Sequence, residues 1–393
     1  MKRIEAYTSE PYRIFFPIGI LFLIVGIIPW LLWPLGLIST YPRDIHRHTM
    51  VGGFLVQFAV GFLMTAIPKF TGTTSASSKE VIVAISLSVI GLLSSCLGEL
   101  LWFEIASILL LLMLIIFGLK RVKLRKWNPP PTFLFLPVGL LGGTIGMILI
   151  LLSENGSQLS KLGQLLFYEA MMLALIVGVG GRLIPALLGW SALPKIQIEA
   201  TGSAERWSEA RVWAALALLF AGSYFLQGLE LRAWGQIIKF LVVCVVAFKH
   251  WRIQYLPRER GVLAAGIYGS AWLTVLGVGI PLFTQFSNSH WNHVLYMGGF
   301  AFLTLFIGSR VTLAHGGFDL SLEKRSLTLG SVSILLLVSL GLRLCAVIYP
   351  AWFSDALFSA AIVFLLSILI WASYFIPKMR LPLSRTLKSH EDC

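Results

Sequence analysis

Uninterrupted apolar runs recur along the whole chain, the first extending from Ile14 to Leu37. A helix needs about twenty apolar residues to cross the hydrocarbon of a bilayer, and these runs reach that length. In lipid a backbone must satisfy its own hydrogen bonds, which leaves only helices and closed barrels as spanning structures. A barrel would show alternating segments of about ten residues rather than unbroken runs. The chain is therefore read as an all-α polytopic membrane protein. Of its 393 residues 57% are hydrophobic and 12% charged, with a mean hydropathy of +0.84. That is too little charge to keep a globule of this size in solution. Because the runs are spread from end to end, residues 1–393 are expected to form a single integral membrane domain.

Asking for about twenty apolar residues per crossing gives about twelve helices, at 14–38, 49–68, 80–98, 100–119, 132–152, 164–188, 210–228, 233–248, 262–283, 291–313, 327–348 and 352–376. The tightest turns fall near Glu99 and Glu230, and no internal repeat is evident. The loops at 69–79, 153–163 and 189–209 are Gly/Ser-rich or mixed polar and too short to fold alone. Lys and Arg number 31 against 18 Asp and Glu, an excess that could suggest nucleic acid. They are concentrated, however, in KRVKLRK at 120–126, KHWRIQYLPRER at 249–260, EKR at 323–325 and the tail from Lys378. Short basic stretches between spans set membrane orientation, so no nucleic-acid partner is expected and the partner is the lipid bilayer. Alternation from a cytoplasmic N-terminus puts every one of them inside and leaves both termini cytoplasmic. MKRIEAYTSEPYR has no small-residue cleavage site after its apolar run and is read as a leader into a retained helix.

Four of the seven histidines sit where two spans begin, His46 and His48 in YPRDIHRHTM and His290 and His293 in SNSHWNHVLYMGGF. Both spans start on the extracytoplasmic side under this topology, so the four share a level. Imidazole ligates transition metals and haem iron well, and clustering at helix ends suits such a site, although a headgroup-level histidine is the plain alternative. His290 and His293, three apart, share a helix face, whereas His46 and His48, two apart, point roughly 200° away from each other. Arg182 in GVGGRLIPALLGW and Arg310 in LFIGSRVTLAHGG lie inside apolar spans near the cytoplasmic end. Each is expected either to snorkel or to meet a buried acceptor such as a propionate, a carboxylate or another anion. Glu169, with Tyr168 beside it, is a second buried charge, read as a proton carrier or a structural hydrogen-bonding group. His315, followed by Gly316 and Gly317, reads as the last turn of a helix with a glycine stop. Cys96, Cys244, Cys345 and Cys393 lie far apart without CxxC spacing, which argues against a thiolate zinc site, and the first three are expected to be small buried helix residues. No GK[ST] follows the glycine-rich runs, so these suit helix packing rather than phosphate binding.

Three blocks, in order, resemble the NnrS family of bacterial membrane proteins. HRHTMVGGFLVQFAVGFLMTAIPKFTG at 46–72 is similar to the family's paired-histidine block, carried by His46, His48, Met50, Gly53 and Phe54. GGRLIPALLGW at 180–190 is similar to its glycine–arginine block, through Gly181, Arg182 and Pro185. HVLYMGGFAFLTLFIGSRVTLAHGG at 293–317 is similar to a third, through His293, Gly298, Arg310, Val311, Leu313, His315 and Gly316. Thr49 stands where the first block carries glutamate, and Ala186 and Leu187 replace the phenylalanine–threonine after Pro185. The resemblance implies a multi-pass protein of the bacterial inner (cytoplasmic) membrane, containing haem b with copper as a further metal, and tied to nitric oxide and nitrosative stress. It implies cofactor binding by His46, His48, His290, His293, Arg182 and Arg310, and metal ligation by His46, His48, His293 and His315, with a small gas such as nitric oxide as ligand. About twelve helices with outer histidines on the second and tenth also look like subunit I of haem-copper oxidases and nitric oxide reductases, which implies a bis-histidine haem. The sixth and seventh spans carry no histidine for a three-histidine metal centre, so an oxidoreductase stands as an alternative, beside a transporter or metal-handling channel.

Overall fold

The computed structural model of the chain describes residues 2–191, 204–283 and 290–380. Among these, twelve helices are long and apolar enough to cross a membrane, and no strand occurs. They are α1 Tyr12–Leu32, α2 Arg43–Thr71, α3 Ser78–Leu97, α4 Leu100–Lys123, α5 Pro131–Leu152, α6 Gln158–Leu187, α7 Trp207–Gly228, α8 Arg232–Trp251, α9 Val262–Leu282, α10 Val294–Gly316, α11 Leu320–Ile348 and α12 Pro350–Met379. Each expected span has its helix. The differences lie at the ends: α2 begins at Arg43 rather than 49 and α6 at Gln158 rather than 164, whereas the α-helical part of α11 begins at Leu327 as expected, after a separate 3-10 turn at Leu320–Glu323. Hydropathy counting stops where polar residues begin, but a helix runs on into the headgroup layer as long as its terminal amides find partners. His46 and His48 therefore lie within helix and not ahead of it.

Local chemistry sets the boundaries. Ser77 and Glu80 cap each other's backbone amides at the start of α3. Gly98 (φ 75°) and Gly317 (φ 70°) take the left-handed conformation that stops α3 and α10, the latter as the sequence suggested. Among the described residues four helices contain a π-helical stretch, His48–Leu55 in α2, Leu165–Ala170 in α6, Val246–Trp251 in α8 and Val294–Ala301 in α10. Such wide turns re-aim the side chains near them and are frequent at functional sites.

The helices are unequal in burial. In α2, 83% of the apolar window is buried, and in α6 and α10 72%, against 33% in α3, α7 and α8 and 28% in α11. The histidine-bearing α2 and α10, with α6, thus form the centre, around which α3 pairs with α4, α7 with α8 and α11 with α12. The last helix packs on the first, which closes the ring. Aromatic rings fill much of the interior, as where Phe16 and Phe58 stack 4.3 Å apart between α1 and α2. Cys96 departs from expectation, since it faces outward at the end of α3, while Cys244 and Cys345 are partly buried. Cys393 and residues 192–203 of the 189–209 loop lie outside the described residues.

Candidate functional site

His46 stands in the first turns of α2, where α1 passes so close that its Nδ1 lies 3.0 Å from the Gly26 carbonyl oxygen. Glycine is required there: a Cβ on Gly26 would come within 2.3 Å of Thr49 Oγ1, which is itself held by the Ile45 carbonyl at 2.7 Å. A carbonyl only accepts, so Nδ1 carries the proton and Nε2 keeps a lone pair. Ligating histidines are commonly held in this manner through their second nitrogen. The His293 ring, at the boundary of α10, is inclined by only 15° to that of His46, with ring centroids 6.4 Å apart. Two imidazoles bound to one ion from opposite sides, with metal–nitrogen bonds of about 2.0–2.1 Å, also have centroids about 6 Å apart. Trp30 abuts His46 edge-on at 5.6 Å, and Tyr296 does the same to His293 at 6.3 Å.

The other two histidines of this end turn elsewhere. His48 is buried, with Nδ1 2.7 Å from the Asp44 carbonyl, Nε2 3.2 Å from Glu104 of α4, and the Tyr168 hydroxyl 3.3 Å from Nδ1. Both its nitrogens are engaged within the protein. His290 lies ahead of α10 and accepts from Arg343 Nη1 at 2.8 Å. Burial, seconded by the Arg343 charge, lowers its pKa to about 4, so the imidazole is neutral at pH 7. The Arg343 guanidinium also lies 5.7 Å from the Trp30 ring, beside His46.

Deeper in the bundle, Glu169 of α6 forms a buried ion pair with Lys239 of α8 and accepts from the Tyr224 hydroxyl at 2.8 Å. Of the two readings of Glu169, the hydrogen-bonded one is seen directly.

The remaining expected residues lie at the opposite ends of these helices. Arg310 pairs with Glu323 at the start of α11, so its acceptor is a carboxylate of the chain. Arg182 is partly buried, and among the described residues no ion pair or hydrogen bond reaches its side chain. His315 Nδ1 lies 3.0 Å from Lys69 Nζ and 3.3 Å from Glu10 Oε1. Burial alone would raise the Glu10 pKa, but the hydrogen bond with His315 and the neighbouring Arg13 charge outweigh it and hold the carboxyl below its ordinary range. With an α-helix rising about 1.5 Å per residue, Arg310 stands some 25 Å from His293 along α10. The structure thus brings His46 and His293 together and separates Arg182, Arg310 and His315 from them.

Three charges of this network escaped the sequence reading: Glu104, Lys239 and Arg343. Each is a single ionisable residue within an apolar span, which is itself a signal, but only packing reveals its partner. Among the described residues no group of three or more His, Cys, Asp or Glu side chains could hold a metal ion. What the site offers is a facing pair of imidazoles, one of fixed tautomer, in an aromatic surround with a guanidinium close by. In comparisons with known proteins, no curated protein matches the chain. The family model described as NnrS protein matches residues 6–382.

Proposed function

Because the chain belongs to the NnrS family, we propose that it is a bacterial cytoplasmic-membrane protein that binds haem b between His46 and His293 and takes part in the response to nitric oxide. The observation that carries this is the near-parallel His46–His293 pair at 6.4 Å, with the His46 tautomer set by Gly26. When bound, the haem would supply an iron that exchanges one electron or takes up a small gas. The chain's part is to present Nε2 of His46 unprotonated, to keep water from the pair with Trp30 and Tyr296, and to offer Arg343 as a cation to a propionate. Arg310, already paired with Glu323, is not available for that task. The oxidase-like alternative needs a second metal centre with further ligands, and turnover by isolated protein would support it.

The same two imidazoles support a second reading, the holding of a lone copper ion by a metal-handling protein. Pyridine-haemochrome and elemental analysis of the purified full-length chain decide between them. About one haem per chain is expected, lost on His46→Ala and on His293→Ala. Copper without haem would favour the second reading, and a spectrum unchanged in both variants would sink the histidine assignment.

A further inference from the structure

We propose that the chain binds the phosphate headgroup of an anionic phospholipid in a cleft at the end opposite the histidine pair, where α6 and α8 finish. The cleft has a volume of about 560 Å³ and is lined by Trp190, Phe248, Tyr255 and three cations, Lys249, Arg252 and Arg258. None of the three cations is ion-paired among the described residues, and the nearby Glu259 is engaged with Lys324 at 3.3 Å.

The cleft is built by the backbone. The amides of Arg258 and Glu259 donate to the Leu188 carbonyl at 2.9 and 3.2 Å, which ties the segment after α8 to the end of α6. Gly189 (φ 79°) permits this approach, since a Cβ there would come within 2.9 Å of the Glu259 nitrogen. The turn that opens the segment is made by Arg252 at φ 57°, ψ 39°, the left-handed conformation that a glycine normally supplies after a helix. An arginine kept where glycine is easier is a strained choice, and strain of this kind points to a use for the side chain.

A second observation is independent of charge. Trp190 Nε1 is buried without a hydrogen-bond partner, and its ring carries the Arg258 guanidinium 4.6 Å above it and Tyr255 at 5.8 Å. An indole nitrogen only donates. Three unpaired cations and a free N–H donor around one cleft call for an anion rich in oxygens, which phosphate is. The aromatic lining and the position at the ends of two membrane-length helices favour a phosphate carried by a lipid. Basic pockets between spans on the cytoplasmic side are suited to such headgroups, and aromatic residues settle at that depth.

Native mass spectrometry of the full-length protein with dioleoylphosphatidylglycerol or dioleoylphosphatidylcholine tests this. Selective retention of the anionic lipid is expected. Arg252→Gly relieves the strained turn and should leave the thermal midpoint unchanged or raised while weakening lipid retention about fivefold, as loss of one surface charge predicts. Lys249→Gln with Arg258→Gln, two exposed side chains whose replacement spares the fold, should weaken it further. Equal retention of the two lipids, or unaltered retention of the anionic one by the variants, overturns the proposal. Displacement by millimolar inorganic phosphate would identify a free anion as the ligand and overturn it likewise.

Discussion

His46 owes its fixed tautomer to the carbonyl of Gly26, a residue with no side chain, and the same dependence on neighbours governs the buried charges. Glu169 is tolerable inside the bundle because Lys239 and Tyr224 meet it. Lys239→Met should therefore destabilise by about 3–5 kcal/mol, because it strands a buried carboxylate. The double change Glu169→Gln with Lys239→Met should recover most of the thermal midpoint in detergent, and a double variant no better than the single one would refute the pairing. His290 gives a pH dependence. Its pKa of about 4 in the folded chain, against an ordinary 6.5, means that folding favours the neutral ring. The contribution is complete above about 6.5, declines as pH falls below that, and is exhausted near 4. His290→Gln keeps an acceptor for Arg343 and should flatten the fall in thermal midpoint between these values. Of this scale, the sequence showed which residues were unusual but not their partners. His46 and His48 look equivalent as letters, and only the passage of α1 beside one and α4 beside the other separates them.

At the scale of the helix, the spans were legible because about twenty apolar residues leave lipid no other option, while their ends were not. The extra turns of α2 that carry His46 are polar, so no hydropathy count includes them. The π-helical stretches were equally invisible, since an inserted residue barely alters an almost wholly apolar pattern. Close helix approach can be tested directly. Gly277 of α9 faces the first turn of α10 so tightly that a Cβ would lie 2.6 Å from the Leu295 nitrogen. Backbone cannot yield as a side-chain tip does, so Gly277→Ala should cost about 1–3 kcal/mol. Leu295 lies two residues from His293, so on the proposed haem reading the displaced turn should also weaken haem retention. A normal midpoint together with a normal haem content would show that α9 does not fix the position of His293.

For the molecule as a whole, the two ends differ in what they present. One gathers His46, His48, His290 and His293 with the partly buried Glu104 and Arg343 contacts, and the other gathers the loops at 120–126, 249–260 and 323–325. The positive-inside rule predicts that the second end faces the cytoplasm, which would put the imidazole pair at the extracytoplasmic face. The two functional readings depend on this orientation differently. A gas diffuses to the pair from either side, but an electron donor or a copper ion must reach the face where the pair lies. Single cysteines in a chain whose four native cysteines are replaced by serine report the orientation. Arg125, after α4, and Glu154, after α5, are both exposed and belong to opposite ends. In intact cells whose outer membrane has been made permeable, a bilayer-impermeant maleimide should label Glu154→Cys and spare Arg125→Cys until the inner membrane is broken. The reverse pattern would turn the bundle over, place His46 and His293 at the cytoplasmic face, and put the lipid cleft in the outer leaflet of that membrane.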